Sequence, residues 1–153
     1  MHFYFLIYPI MLRKDFLQRQ IEELGKFMRL LIEKIWNRNA GKDEIEAEME
    51  ALNTEFIENC GFDINLLVNK ECDSLLEKIK NNSTFNHENV DLLADFMCEL
   101  ANRYPQSAVA TQAILRANAY ALYLYSDETF KTFSFERQLK MTKLKAYKFE
   151  NEA

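Results

Sequence analysis

The sequence predicts an all-α fold, built of antiparallel helical hairpins packed as a bundle or a short helix-repeat stack. Apolar residues recur at steps of three and four along most of the chain, the spacing of an amphipathic helix. Only 3 Gly and 2 Pro occur in 153 residues, too few for the many tight turns of a sandwich or barrel. Helix start and stop residues stand where the periodic runs begin and end.

Residues 1–10 form an apolar extension: the run Phe3 to Leu12 is interrupted by Pro9 and followed by Arg13, Lys14 and Asp15. It is shorter than the ~20 residues needed to span a bilayer, and no basic residue precedes it as in a secretory signal. It could pack on the domain, seek a surface, or arise from an upstream start, with Met11 the expected start. Residues 11–153 then form one helical domain. The first helix is expected from Asp15 to about Arg38, with Leu17, Ile21, Leu24, Met28, Leu31 and Ile35 as its seam and Phe16, Phe27, Leu30, Ile32 and Trp36 widening it. Asn39 to Gly41 ends it.

Lys42 to Cys60 repeats the pattern through Ile45, Met49, Leu52 and Phe56, with Gly61 at a left-handed stop. Its Asp43, Glu44, Glu46, Glu48, Glu50, Glu55 and Glu58 make a strongly acidic, solvated face. Asp63 is expected to cap a short turn carrying Ile64, Leu67 and Val68, and Asp73 a short helix carrying Leu75, Leu76 and Ile79. Asn86 should cap the next helix, which buries Val90, Leu93, Met97, Leu100 and Tyr104 before Pro105 stops it. A fourth main helix from about Gln106 to Ser126 carries Ala110, Ala113, Ala117 and Ala121, a small-residue stripe expected to let a neighbouring helix approach closely. After a loop around Asp127 to Thr132, Ser134 caps a last helix with an apolar surface of Phe135, Leu139, Met141, Leu144 and Tyr147.

Composition narrows function mainly by exclusion. A net charge of -5 argues against non-specific grip on nucleic acid or an anionic membrane over the whole surface. Cys60, Cys72 and Cys98 lack any CxxC spacing and fit buried thiols in a reducing, cytoplasmic setting. His87-Glu88 opens like a zinc-protease helix, yet Asp91 stands where its second histidine belongs. No paired Glu-x-x-His motif, Gly-rich phosphate loop or G-x-S-x-G elbow can be written. The expectation is therefore no catalytic residue, no cofactor and no metal.

Charge is distributed unevenly. The C-terminal segment sets Lys131, Arg137, Lys140, Lys143, Lys145 and Lys148 against Glu136, with Phe133, Phe135, Tyr147 and Phe149 between them. Such a helix could dock on the acidic second helix, an acidic partner or a nucleic-acid backbone. The expected activity is a non-catalytic protein-interaction module for a protein or peptide partner. Arg116, Tyr120, Tyr123, Lys140 and Lys143 are its candidate contact residues, and nucleic-acid or acidic-partner binding through the basic helix is the alternative. Homodimerisation through the broad first helix is a further expectation.

MLRKDFLQRQIEELGKFMRLLIEKI, from Met11 to Ile35, resembles the opening of a family of uncharacterised bacterial proteins with tetratricopeptide-like folds. The matching residues are Asp15 and Phe16, followed by Arg19, Ile21, Glu22 and Leu24. TFSFERQLKMTKL, Thr132 to Leu144, resembles the way such chains close. The resemblance implies a tetratricopeptide-like scaffold for protein interaction and a start at Met11.

Overall fold

The computed structural model describes the backbone of residues 2–36 and 41–152, and side chains over 13–36 and 41–147. The described residues form a helical bundle: α1 (His2–Trp36), α2 (Lys42–Cys60), a 3-10 turn (Ile64–Val68), α3 (Cys72–Lys80), α4 (His87–Arg103), α5 (Val109–Phe130) and α6 (Phe135–Glu152). No strand occurs among them. None of these helices is long and apolar enough to cross a membrane.

The first seam is buried from Leu24 onward: Leu24, Met28, Leu31 and Ile35 lie in the core, Leu17 and Ile21 are only half-buried, and Phe16, Leu30 and Trp36 on its margins stay exposed. One expectation fails at the front. Helical backbone does not begin at Asp15 but runs from His2 through Pro9, although proline removes a backbone donor and crowds the turn before it. The packing of the extension's side chains lies outside the described residues, as does the predicted stop over Asn39 and Ala40.

α2 matches its predicted bounds. Gly61 closes it at φ 82°, donating its N–H to the Ile57 carbonyl at 2.8 Å, a left-handed conformation that favours a residue without Cβ. Asp63 caps the 3-10 turn by accepting from the Asn65 N–H at 2.8 Å. Asp73 does not cap α3. Glu71 occupies that position with no side-chain cap, and Asp73 falls in the first turn. The chain is already turned there by Asn69, whose side chain accepts from the Glu71 N–H at 3.0 Å.

α4 and α5 form the central hairpin. Tyr123 meets Asp95, Ser126 meets the His87 carbonyl and Arg116 meets Asn102, so the two helices run antiparallel. α1 instead lies parallel to α4. The Asn89 amide donates to the Ile21 carbonyl at 3.0 Å and Arg103 to the Ile35 carbonyl at 2.9 Å, a constant offset along both helices. Gly25 permits this approach, since a Cβ there would stand 3.1 Å from Asn89 Oδ1. Asn118, buried in α5, donates to the carbonyls of Leu67 and Asn69 at 2.8 and 2.9 Å and ties the 3-10 turn to the hairpin.

α5 begins at Val109 rather than Gln106. Pro105 to Ala108 closes a turn first, with the Ala108 N–H donating to the Pro105 carbonyl at 2.9 Å. It also continues past Ser126 to Phe130, whose ring packs on Tyr125 and His87, so the expected loop at Asp127 is helix. The alanine stripe does not form the close interface: Ala110, Ala113 and Ala117 are exposed, and Leu115, Ala119 and Leu122 one face over are buried. Larger apolar side chains gain more from burial, so Leu115 and Leu122 set the core side and carry Ala119 with them. α6 likewise buries Met141 and Leu144, whereas Phe135 and Leu139 face outward.

Candidate interaction face and its ion-pair clamp

Asp91 and Asp95 stand one helical turn apart on α4, on the side that meets α6. Ser134 starts α6 by accepting from the Arg137 N–H at 3.1 Å. That cap sets the rotation of the helix so that Arg137 shares the inner stripe with Met141 and Leu144. Arg137 is only 2% exposed. Its Nε donates to Asp91 Oδ1 at 3.0 Å and its Nη2 to Asp91 Oδ2 at 2.9 Å, a bidentate pair. Nη1 reaches Asp127 Oδ1 at 3.2 Å and the Thr132 carbonyl at 2.7 Å. One guanidinium thereby joins α4, the end of α5, the connecting loop and α6.

A second pair lies one turn further on. Lys140 Nζ donates to Asp95 Oδ1 at 2.8 Å and approaches Glu136 Oε1 at 3.2 Å. The Tyr123 hydroxyl donates to the same Asp95 oxygen at 2.5 Å, with Cys98 Sγ 4.0 Å away. A cleft of about 200 Å³ opens beside these groups, bordered also by Arg29 and Glu88. Hydrogen bonds from Arg137 to Asp91, opposed by burial, hold the guanidinium above its ordinary range. For Lys140 partial burial opposes the charge, but the bond and attraction to Asp95 outweigh it and raise the pKa. Burial pushes the Tyr123 phenol up. These groups act as partners holding α6 down, and each cation is engaged by a carboxylate.

The five candidate contact residues divide. Arg116 stacks on the Tyr147 ring at 4.1 Å and bonds Asn102 at 3.2 Å. Tyr120 is half-buried with Lys145 over its ring at 5.7 Å, and Lys143 is exposed. The structure thus brings Arg116 and Tyr120 together at the α5–α6 seam. Tyr123 is buried at 1% exposure and Lys140 is committed to Asp95, so both belong to the clamp instead of an open face. The basic helix is correspondingly less basic outside than its sequence, because Arg137 and Lys140 are neutralised within the fold. Lys148 and Phe149 lie outside the described side chains.

Sequence reasoning missed Arg137, Asp91, Asp95 and Asp127 as a unit. The available signal was Arg137 itself, an arginine standing in phase with Met141 and Leu144 three residues after a capping serine.

The cysteines are free, with Cys60 buried. Burial raises all three thiols, Cys98 to about 11. His87 opens α4 and Cys98 lies three turns further along it, roughly 16 Å away at 1.5 Å per residue, too far to form a nucleophile–base pair. Among the described residues no group of three or more His, Cys, Asp or Glu side chains could hold a metal.

Alkylation at pH 8 should therefore modify partly accessible Cys72 first and Cys98 slowly, with roughly one thiol in a thousand ionised. Cys60 should react only through unfolding. Because folding raises these pKa values, the unfolded thiols lose protons first as pH rises; the stability that Cys98 contributes below pH 9 is lost on the way to about 11. Mass-resolved labelling and urea midpoints check both expectations, and a midpoint that rises over this interval would contradict them.

Comparison with known proteins finds no matching family model, no matching curated protein and no matching solved structure.

Proposed function

We propose that this chain is a non-catalytic protein-interaction module, which uses the outer surface of α6 and its seam with α5 to hold a protein or peptide partner. The observation that carries the reading is exposed apolar area at the start of a firmly docked helix: Phe133, in the loop just before α6, is 75% exposed, and Phe135 and Leu139 on α6 are 69% and 50% exposed. An apolar patch rimmed by charge is typical of an interaction site. Arg116 stacked on Tyr147 beside it supplies the residue types that most often anchor interfaces. The contact set proposed is Arg116, Tyr120 and Lys143, with Leu139 added.

The absence of catalysis and cofactor is part of the proposal, supported by Asp91 and Asp95 being occupied with Arg137, Lys140 and Tyr123. Three free thiols support a cytoplasmic setting, and the α4–α5 hairpin is compatible with a tetratricopeptide-like scaffold. Capture experiments with the full chain test the proposal. A partner protein retained at high salt by wild type, and lost when Arg116→Glu and Lys143→Glu are combined, is the expected result. Bound nucleic acid released at high salt would replace it with the alternative.

A further inference from the structure

On α6, the residues directly opposite the buried stripe of Arg137, Met141 and Leu144 are Phe135, Leu139, Thr142 and Ala146, all exposed. Lys143, exposed, flanks this line on one side, where exposed Glu136 is paired with Lys140 at 3.2 Å, and Lys145, exposed, lies on the other side toward the seam with Tyr120. α2 presents the converse. Opposite its buried Ile45, Met49, Leu52 and Phe56 runs an exposed line of Ala47, Ala51 and Thr54, with Asp43 at its start and Glu58 at its end. Glu46 and Glu50 flank it on one side, Glu44 and Glu55 on the other, all exposed.

We propose that the outer face of α6 docks on the outer face of α2 of a second copy of this chain. The inference rests on reading the fold as an interaction module and adds to it a salt-sensitive self-contact, distinct from the salt-resistant partner held through Arg116 and Lys143. Bulky apolar side chains on one face meet small ones on the other, as close helix packing requires. Lysines on both margins meet glutamates on both margins, so the charges complement one another. The two surfaces differ, which makes the contact heterologous: each copy keeps one free α6 face and one free α2 face, and assembly continues into a chain or closes into a ring. A single helix pair is small beside the roughly 1,200–2,000 Å² of a stable interface, so assembly depends on concentration.

Sedimentation velocity of the full chain, from about 10 μM to about 1 mM, tests this, that range bracketing weak association. Wild type should gain mass with concentration and lose the gain at high salt. Lys143→Glu with Lys145→Glu should abolish it, and so should Glu50→Lys with Glu55→Lys. Circular dichroism should show unchanged helicity, because every position is exposed. One chain carrying all four reversals should associate again. A monomer at all concentrations overturns the inference, as does association indifferent to either pair or not restored by the fourfold variant. A monomer that still retains a salt-resistant partner through Arg116 and Lys143 overturns self-docking alone and leaves the proposed function standing.

Discussion

Arg137→Ala is expected to lower stability by about 2–3 kcal/mol, equivalent to a fall in melting temperature of roughly 4–12 °C for a chain of this size. Breaking a fully buried pair costs about 3–5 kcal/mol. The Asp91 and Asp127 side chains retain 22% and 34% exposure, so water compensates part of their lost partner. Arg137→Met should be milder, because it keeps most of the packing on Met141 and Leu144 while removing the charge. Asp91→Ala should be no milder than Arg137→Ala, since it removes the bidentate partner of an almost wholly enclosed guanidinium and leaves it only Asp127 and the Thr132 carbonyl. Urea titrations of the three variants check this ranking. Near-equal stability of Arg137→Ala and wild type would mean that α6 is held by Met141 and Leu144 alone.

Phe56→Ala should be the more severe change, with a loss of about 3–5 kcal/mol. Phe56 has no exposed surface. Its ring lies 6.3 Å from that of Phe27 on α1 and 5.4 Å from that of Phe62, which stacks in turn on Phe85 at 6.1 Å. The side chain is therefore where α2, α1 and the segment before α4 meet. Truncation leaves a cavity among aromatic rings too large to close around a methyl group, whereas Phe56→Leu fills more of it and should lose less. Calorimetry distinguishes the two variants. Equal melting temperatures would show that the site collapses around either side chain.

Much of this architecture could be read from the chain before its fold was known. Ile45, Met49, Leu52 and Phe56 reach the core because four residues at steps of three and four have one side of a helix to occupy. Gly61, Asp63, Asn86 and Ser134 act locally, through a left-handed φ or a cap two or three residues away, and local chemistry is visible in local sequence. The parallel placement of α1 on α4 is not local. It depends on Asn89 and Arg103 reaching carbonyls 68 residues away. The candidate site divides on the same line. Arg116 and Tyr120 fall on the α5–α6 seam as side chains of one helix face, but Tyr123 is turned inward by Asp95, a partner 28 residues off. Arg137 was hidden among lysines in a basic segment. Its charge is that of the surface, while its phase on the helix is that of the core, and composition reports only the first.

Amide hydrogen exchange over α6, in wild type and Arg137→Met, most directly tests the claim that this helix is clamped on its inner side and free on its outer one. Protection of residues 137–147 close to that of α4 and α5 is expected in wild type, with its selective loss in Arg137→Met while the α4–α5 hairpin keeps its own. Equally protected α6 amides in the two proteins, or amides unprotected in both, would contradict it.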